Sequence, residues 1–320
     1  MKIIVTFSGG KDSLAALLWI RNNFSKKFDI VFCDTKWESP ITYDYIKEIS
    51  LKLKMPVISL VSKKFDGFID LAIKKQRFPS TKARFCTEEL KTKPMIDYIL
   101  DVAKDDIMVI QGIRGAESFS RSKMESQCNY FKYYLEPYQT NSMLVESLST
   151  LPKTTIPQTN KLNKALERLK SGKEDAKFHT YRKKEVLKYI ESYATDVWRP
   201  IFDWSAQQTI EYIIENGFKP NPLYSMGFKR VGCFPCIMSA NTEIYQLAQR
   251  FPERVLEIEN FEKITKSSFW GPDTIPKRFY TGAFPLANDV TKYINFKYAA
   301  GELFEEYTPT SCMSYYGLCE

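Results

Sequence analysis

Six consecutive residues near the amino terminus, Ser8-Gly9-Gly10-Lys11-Asp12-Ser13, combine what an anion site needs. Glycines without a Cβ let the backbone curl until several N–H groups face one point, Lys11 adds a positive charge, and Ser8 and Ser13 add hydroxyl donors. The chemistry this predicts is capture of a phosphate or sulfate group. It is not a Walker A loop, because the four-residue spacing between glycines and the Gly-Lys-Ser/Thr ending are both missing. Sulfur forms a second group. Cys233-x2-Cys236 has the spacing at which two thiolates bind one metal centre from a single turn, and Cys312-x6-Cys319 offers two more. Four thiolates suit structural zinc or a four-iron four-sulfur cluster, and spacing does not choose between them. Cys86 stands beside Arg84 and Lys91, whose charge would lower its pKa, so it reads both as a reactive thiol able to carry a persulfide and as a buried structural cysteine. Cys33 and Cys128 read as packing residues. Arg84, Arg114 and Arg121 form a third group, guanidinium forks suited to phosphate or sulfate oxygens.

These groups need a frame, and the hydrophobic pattern supplies one. The glycine loop falls between a β-rich run, Ile3 to Phe7, and a helical pattern from Ser13 to Asn22 with Leu14, Leu17 and Leu18 on one face. That places the loop at a helix N-terminus, where positive potential favours an anion. Alternation continues with a strand at 29–33, a helix at 42–53, a strand at 56–61, a helix at 91–103 and a strand at 107–111. The pattern predicts an α/β fold, a parallel sheet with helices on both faces, binding its ligand outside the carboxyl ends of the strands. We assign residues 1–138 to this α/β domain. From 139 to 195 the alternation stops, and between Lys161 and Lys188 ten lysines or arginines face four acids. This reads as a basic helical insertion, its surface either merely solvated or facing nucleic acid. Residues 196–320 form a mostly helical region carrying the paired cysteines.

Composition narrows the class. The 320 residues are 44% apolar, enough for a large core, and 46 basic against 38 acidic residues give a charge of +8 that would attract a phosphate-bearing partner. Seven cysteines without a secretory pattern argue for thiols kept for metal binding or catalysis rather than disulfides. The single histidine, His179, lies in a basic polar stretch and reads as a surface residue, which leaves metal binding to thiolates or carboxylates. No stretch reaches the roughly 18 apolar residues of a membrane span, so the expectation is a cytoplasmic protein.

The string Ser8 to Ser13 resembles the signature of the PP-loop (ATP pyrophosphatase) superfamily, and the rest resembles its PAPS-reductase-like branch. Asp34-Thr35 with Glu38 resembles the acidic-Thr element beside the nucleotide; Arg84-Phe85-Cys86 resembles the Arg-x-Cys segment; Gly112-Ile113-Arg114 with Glu117-Ser118 and Arg121 resembles the GIRxxES element. Arg199 to Trp204, Asn221 to Tyr224, and Gly227 to Cys236 follow in the same order. The resemblance implies an adenine nucleotide alpha hydrolase-like fold. It implies that Ser8, Gly9, Gly10, Lys11, Asp12, Ser13, Asp34, Thr35, Arg84, Gly112, Arg114, Glu117 and Arg121 bind ATP with magnesium, or PAPS as substrate nucleotide. Lys11, Asp12, Cys86 and Arg114 would take part in catalysis, and Cys233, Cys236, Cys312 and Cys319 would hold an iron–sulfur cluster, with zinc as the alternative. The activity implied is an adenylating sulfurtransferase, with tRNA or DNA as acceptor through the basic insertion and a sulfur donor such as a cysteine desulfurase. A sulfonucleotide reductase and a redox-sensing regulatory protein are the alternatives. The adjacent Cys-Cys pair of cluster-bearing reductases and the Glu-Cys-Gly tail of assimilatory ones are absent.

Overall fold

The computed structural model of the protein describes residues 1–81, 83–151 and 156–301. The chain divides into two compact units, one built from residues 1–127 and 196–320, the other from 128–195.

In the larger unit, β1 (Lys2–Thr6) lies between β2 (Phe28–Cys33) and β4 (Ile107–Ile110), with β3 (Val57–Leu60) outside β2. All three pairings are parallel, with Ile3 opposite both Phe28 and Met108. Two short strands, β5 (Gln127–Asn129) and β6 (Thr195–Trp198), mark where the chain leaves and re-enters this unit, and the order of the six-stranded sheet is β3-β2-β1-β4-β6-β5. Ile3, Ile4 and Val5 have no exposed surface, as expected of a parallel strand covered on both faces.

Helix α1 (Lys11–Asn23) follows the glycine loop directly and buries Leu14, Leu17, Leu18 and Ile20 against β1. It starts two residues before the predicted Ser13, because Gly10 already has the extended conformation of a cap. Helix α2 (Pro40–Leu53) likewise starts two residues before the predicted Thr42. Ser39 caps it by accepting from the Ile41 N–H, and Pro40 in the first turn loses nothing by having no N–H. A further helix, α3 (Phe68–Lys75), follows β3. The helix expected at 91–103 begins earlier, with Phe85–Thr87, Glu88–Thr92, Lys93–Tyr98 and Ile99–Ala103 running on without a break.

A second core in this unit is aromatic. Trp37 stacks on Phe68 at 5.4 Å, and Phe78 and Phe269 pack around them. It ties α3 to the carboxyl-terminal helices Asn241–Arg250, Pro252–Thr265 and Ala287–Ala299.

The smaller unit is helical, with Asn141–Ser149, Ile156–Lys170 and Lys183–Ser192. Its His179 is not the surface residue expected. The ring is half-buried among Tyr133, Tyr134 and Tyr138, with centroids 6.1, 5.8 and 5.0 Å away. Aromatic packing outweighs the polar sequence neighbourhood from which an exposed position was inferred.

Candidate functional site

Two glycines shape the anion loop for different reasons. Gly9 has φ +84°, a left-handed conformation, and a Cβ there would stand 2.9 Å from the Thr42 methyl. Gly112, at the end of β4, lies so close to α1 that a Cβ would come within 2.4 Å of the Ser13 Cα and 2.5 Å of the Asp12 carbonyl. Inside the loop, the Ser8 N–H donates to Ser13 Oγ at 3.3 Å, and Ser13 Oγ donates to the Gly10 carbonyl at 3.0 Å. Residues far along the chain then fix it. Asn221 Nδ2 donates to the Gly9 carbonyl and to Thr42 Oγ1, both at 3.3 Å. The Lys11 N–H donates to the Tyr224 hydroxyl at 3.1 Å, and the Lys11 ammonium lies 5.2 Å from the Tyr224 ring centroid.

Asp12 is buried and accepts from Arg114 Nε at 2.6 Å and Nη2 at 3.4 Å, with Lys11 Nζ at 3.3 Å. Arg121 is buried too and paired with Glu117. Two of the three arginines expected on phosphate oxygens are therefore engaged by carboxylates. The third, Arg84, donates from Nε to the Thr81 carbonyl at 3.2 Å and lines the thiol pocket described below.

The acidic-Thr element forms one buried network. Thr35 donates to Glu38 at 2.7 Å, the Trp37 N–H donates to the other Glu38 oxygen at 3.2 Å, and the Tyr43 hydroxyl stands 2.7 Å from Asp34 and 3.0 Å from Glu38. Burial raises the Glu38 pKa, opposed by the Thr35 donor and the Lys91 charge. Burial also raises Tyr43, reinforced by the Glu38 charge. Glu38 makes an antiparallel backbone bridge to Cys233, so this network also seats the cysteine loop.

That loop is held from three sides. The Phe234 N–H donates to the Trp37 carbonyl at 2.7 Å, Trp37 Nε1 donates to the Pro235 carbonyl at 3.1 Å, and Arg254 lies 3.6 Å over the Trp37 ring while donating to the Phe234 carbonyl. Cys233 and Cys236 thereby face the same small pocket as Cys86, with Arg84 and Arg230 in its wall. Burial pushes the Cys233 thiol up to about 12, against the pull of Lys91. Lys91 and Gly232 line this pocket and also the neighbouring one formed by Ser8, Ser13, Cys33 and Gly112. The anion loop and the thiols thus share a wall. Cys33, expected only to pack, lines the loop pocket.

Three thiols on one pocket are soft donors of the kind zinc or an iron–sulfur cluster takes. Among the described residues, no group of three or more His, Cys, Asp or Glu side chains is gathered closely enough to hold a metal ion, and Cys312 and Cys319 lie outside the described residues. Thr42, Asn221, Tyr224 and Gly232 were not singled out by chemistry in the sequence, although the resemblance passed through Asn221, Tyr224 and Gly232. Lys91 was read only as a charge beside Cys86, and nothing marked it as a wall of the anion pocket.

A parallel sheet carrying a glycine loop between its first strand and first helix, with the loop pinned for anion capture, defines a nucleotide-binding α/β protein. Residues 2–239 match the phosphoadenosine phosphosulfate reductase domain, and the chain belongs to that family. It is 26% identical over 308 residues to an uncharacterized protein of Escherichia phage 186, covering 82% of this chain and 74% of that one. It is 25% identical over 258 residues to an uncharacterized protein of Methanocaldococcus jannaschii, covering 81% of this chain but only 41% of its relative. A phosphoadenylyl-sulfate reductase structure from Candida auris superposes with a TM-score of 0.43 at 16% identity, covering 73% of this chain and 82% of that one. Among the described residues no helix is long and apolar enough to cross a membrane.

Proposed function

We propose that the chain is an adenine-nucleotide-dependent sulfur-handling enzyme. The loop of residues 8–13 holds the pyrophosphate end of ATP with magnesium, an acceptor oxygen attacks the α-phosphorus, pyrophosphate leaves, and a sulfur nucleophile then displaces AMP. The observation that supports this reading is the wall of Lys91 and Gly232 common to the anion pocket and the thiol pocket. Lys11 and the loop N–H groups stabilise charge on the phosphoryl oxygens. Arg114 holds Asp12 and through it the first turn of α1. Cys86 carries the transferable sulfur. Cys233 and Cys236, with Cys312 and Cys319, would ligate an iron–sulfur cluster, which when bound supplies an iron site able to hold sulfur. The acceptor in this reading is a nucleic acid, with a cysteine desulfurase as sulfur donor.

The test is incubation of anaerobically purified protein with α-labelled ATP, and separately with APS and PAPS, alongside iron, sulfide and zinc analysis of the wild type and Cys233→Ala. Pyrophosphate and an adenylated acceptor formed from ATP, AMP released once a cysteine desulfurase and cysteine are added as sulfur donor, and iron lost on substitution are expected. Sulfite released from APS or PAPS without ATP, on addition of a dithiol that becomes oxidised to its disulfide, would replace this reading with a sulfonucleotide reductase, which the family's description favours and in which Cys86 would attack the sulfate sulfur and displace the nucleotide.

A further inference from the structure

A cleft in the larger unit lies beyond the thiols and has no part in the chemistry above. Its volume is about 790 Å³, within the roughly 300–1,000 Å³ of sites that take small organic molecules. Two of its lining residues, Ile237 and Met238, also line the pocket of Cys86, Cys233 and Cys236, so a molecule bound in the cleft would abut the sulfur site. Aromatic faces come from Phe78, Trp270 and Phe284. The same lining carries short hydroxyl and amide groups such as Ser239 and Asn241.

Charge narrows the ligand. In a chain of net charge +8, the described lining of this cleft contains no lysine or arginine and one acid, Asp273. A phosphate or sulfate would find no counter-charge here, whereas it finds Lys11 at the glycine loop. A flat, uncharged ring with hydrogen-bonding edges fits both features of the wall, since aromatic side chains stack on it and short polar groups meet its rim.

We propose that this cleft binds the base of the acceptor, a neutral nucleobase-like heteroaromatic ring, and presents it to the thiol pocket. This deepens the sulfur-transfer reading by naming the chemical class of the acceptor. The ring is either that of a free nucleoside or one turned out of a polynucleotide.

The experiment is equilibrium dialysis of the full chain with labelled cytidine, uridine or guanosine, and in a second arm with a short single-stranded oligonucleotide. A saturating ATP analogue that cannot be cleaved between its α- and β-phosphates is present throughout to keep the loop site occupied. Two variants are compared with wild type: Thr81→Trp, which fills the cleft from an exposed rim position, and Trp270→Leu, which removes a stacking face. Saturable binding weakened about tenfold or more by both variants is expected, with ATP binding intact in Thr81→Trp. Binding of the oligonucleotide but of no nucleoside, with the same dependence on both variants, assigns the base to a strand. No saturable binding in either arm, or binding equal in wild type and both variants, overturns the proposal. Binding is read without turnover, so absence of AMP formation would defeat the adenylation reading while leaving this result standing.

Discussion

At the scale of single residues, the site depends on what is missing as much as on what is present. Gly112 has no side chain because α1 occupies the space one would need, and a methyl group there would meet backbone atoms that cannot swing aside. Gly112→Ala is expected to destabilise the protein by about 1–3 kcal/mol in urea unfolding and to abolish nucleotide binding, because relief requires the loop to move. Arg114 presents the opposite case, a buried charge whose partner is also buried. Arg114→Met leaves Asp12 without its guanidinium and should cost about 3–5 kcal/mol, part of which returns in the double variant Asp12→Asn, Arg114→Met. If the losses of the single variants Asp12→Asn and Arg114→Met simply added in the double variant, the pair would be uncoupled.

Individual elements show where the sequence was legible and where it was not. Strands β1 to β4 and helices α1 and α2 could be read from apolar runs, because a parallel strand must be apolar on both faces and its covering helices on one. Their ends could not, since Gly10 and Ser39 act through backbone geometry and capping rather than hydropathy. Helix α3 escaped notice because it is short and its apolar residues join an aromatic core assembled from segments some two hundred residues apart. The loop, the acidic-Thr element and the cysteine pair were visible as motifs, but their meeting was not, because no local pattern encodes a shared wall. The helix Pro252–Thr265 shows the same limit. Its Glu262 is fully buried and accepts from the Phe269 N–H at 2.7 Å and the Ala287 N–H at 2.6 Å, stapling one helix to the start of the next. Burial outweighs both donors and raises its pKa to about 7. The folded chain therefore binds this proton more tightly than the unfolded one, so the contribution is fully present below about 4.5 and is lost as pH rises through 7. Thermal unfolding between pH 4.5 and 8 should show stability falling with pH, and Glu262→Gln should flatten that slope at the cost of a lower midpoint at acid pH. A parallel slope in the variant would assign the effect to other groups.

At the scale of the molecule, the two units differ in what they offer a partner. The helix Ile156–Lys170 of the smaller unit buries Ala165 and half-buries Leu162, Leu166 and Leu169, leaving Lys161, Lys164 and Lys170 exposed. A charged face of this kind binds polyanions by releasing their counterions, which makes affinity fall steeply with salt. Replacing these three lysines with glutamine should weaken binding of a structured RNA and make the plot of log affinity against log salt shallower by roughly 0.9 per lost phosphate contact, measured by filter binding. An unchanged slope would mean that this face is only solvated.

The clamp on the glycine loop has a bearing on how the protein is made. Asn221 holds Gly9 across 212 residues, and Tyr224 meets Lys11 across 213. During synthesis the loop leaves the ribosome early, while its two fasteners are still to be translated. Closing so long a span waits on chain entropy and on the folding of everything between. A nascent or prematurely terminated chain therefore carries the phosphate-gripping sequence without the grip, and nucleotide capture begins only when the thiol loop just after Tyr224 has also been made.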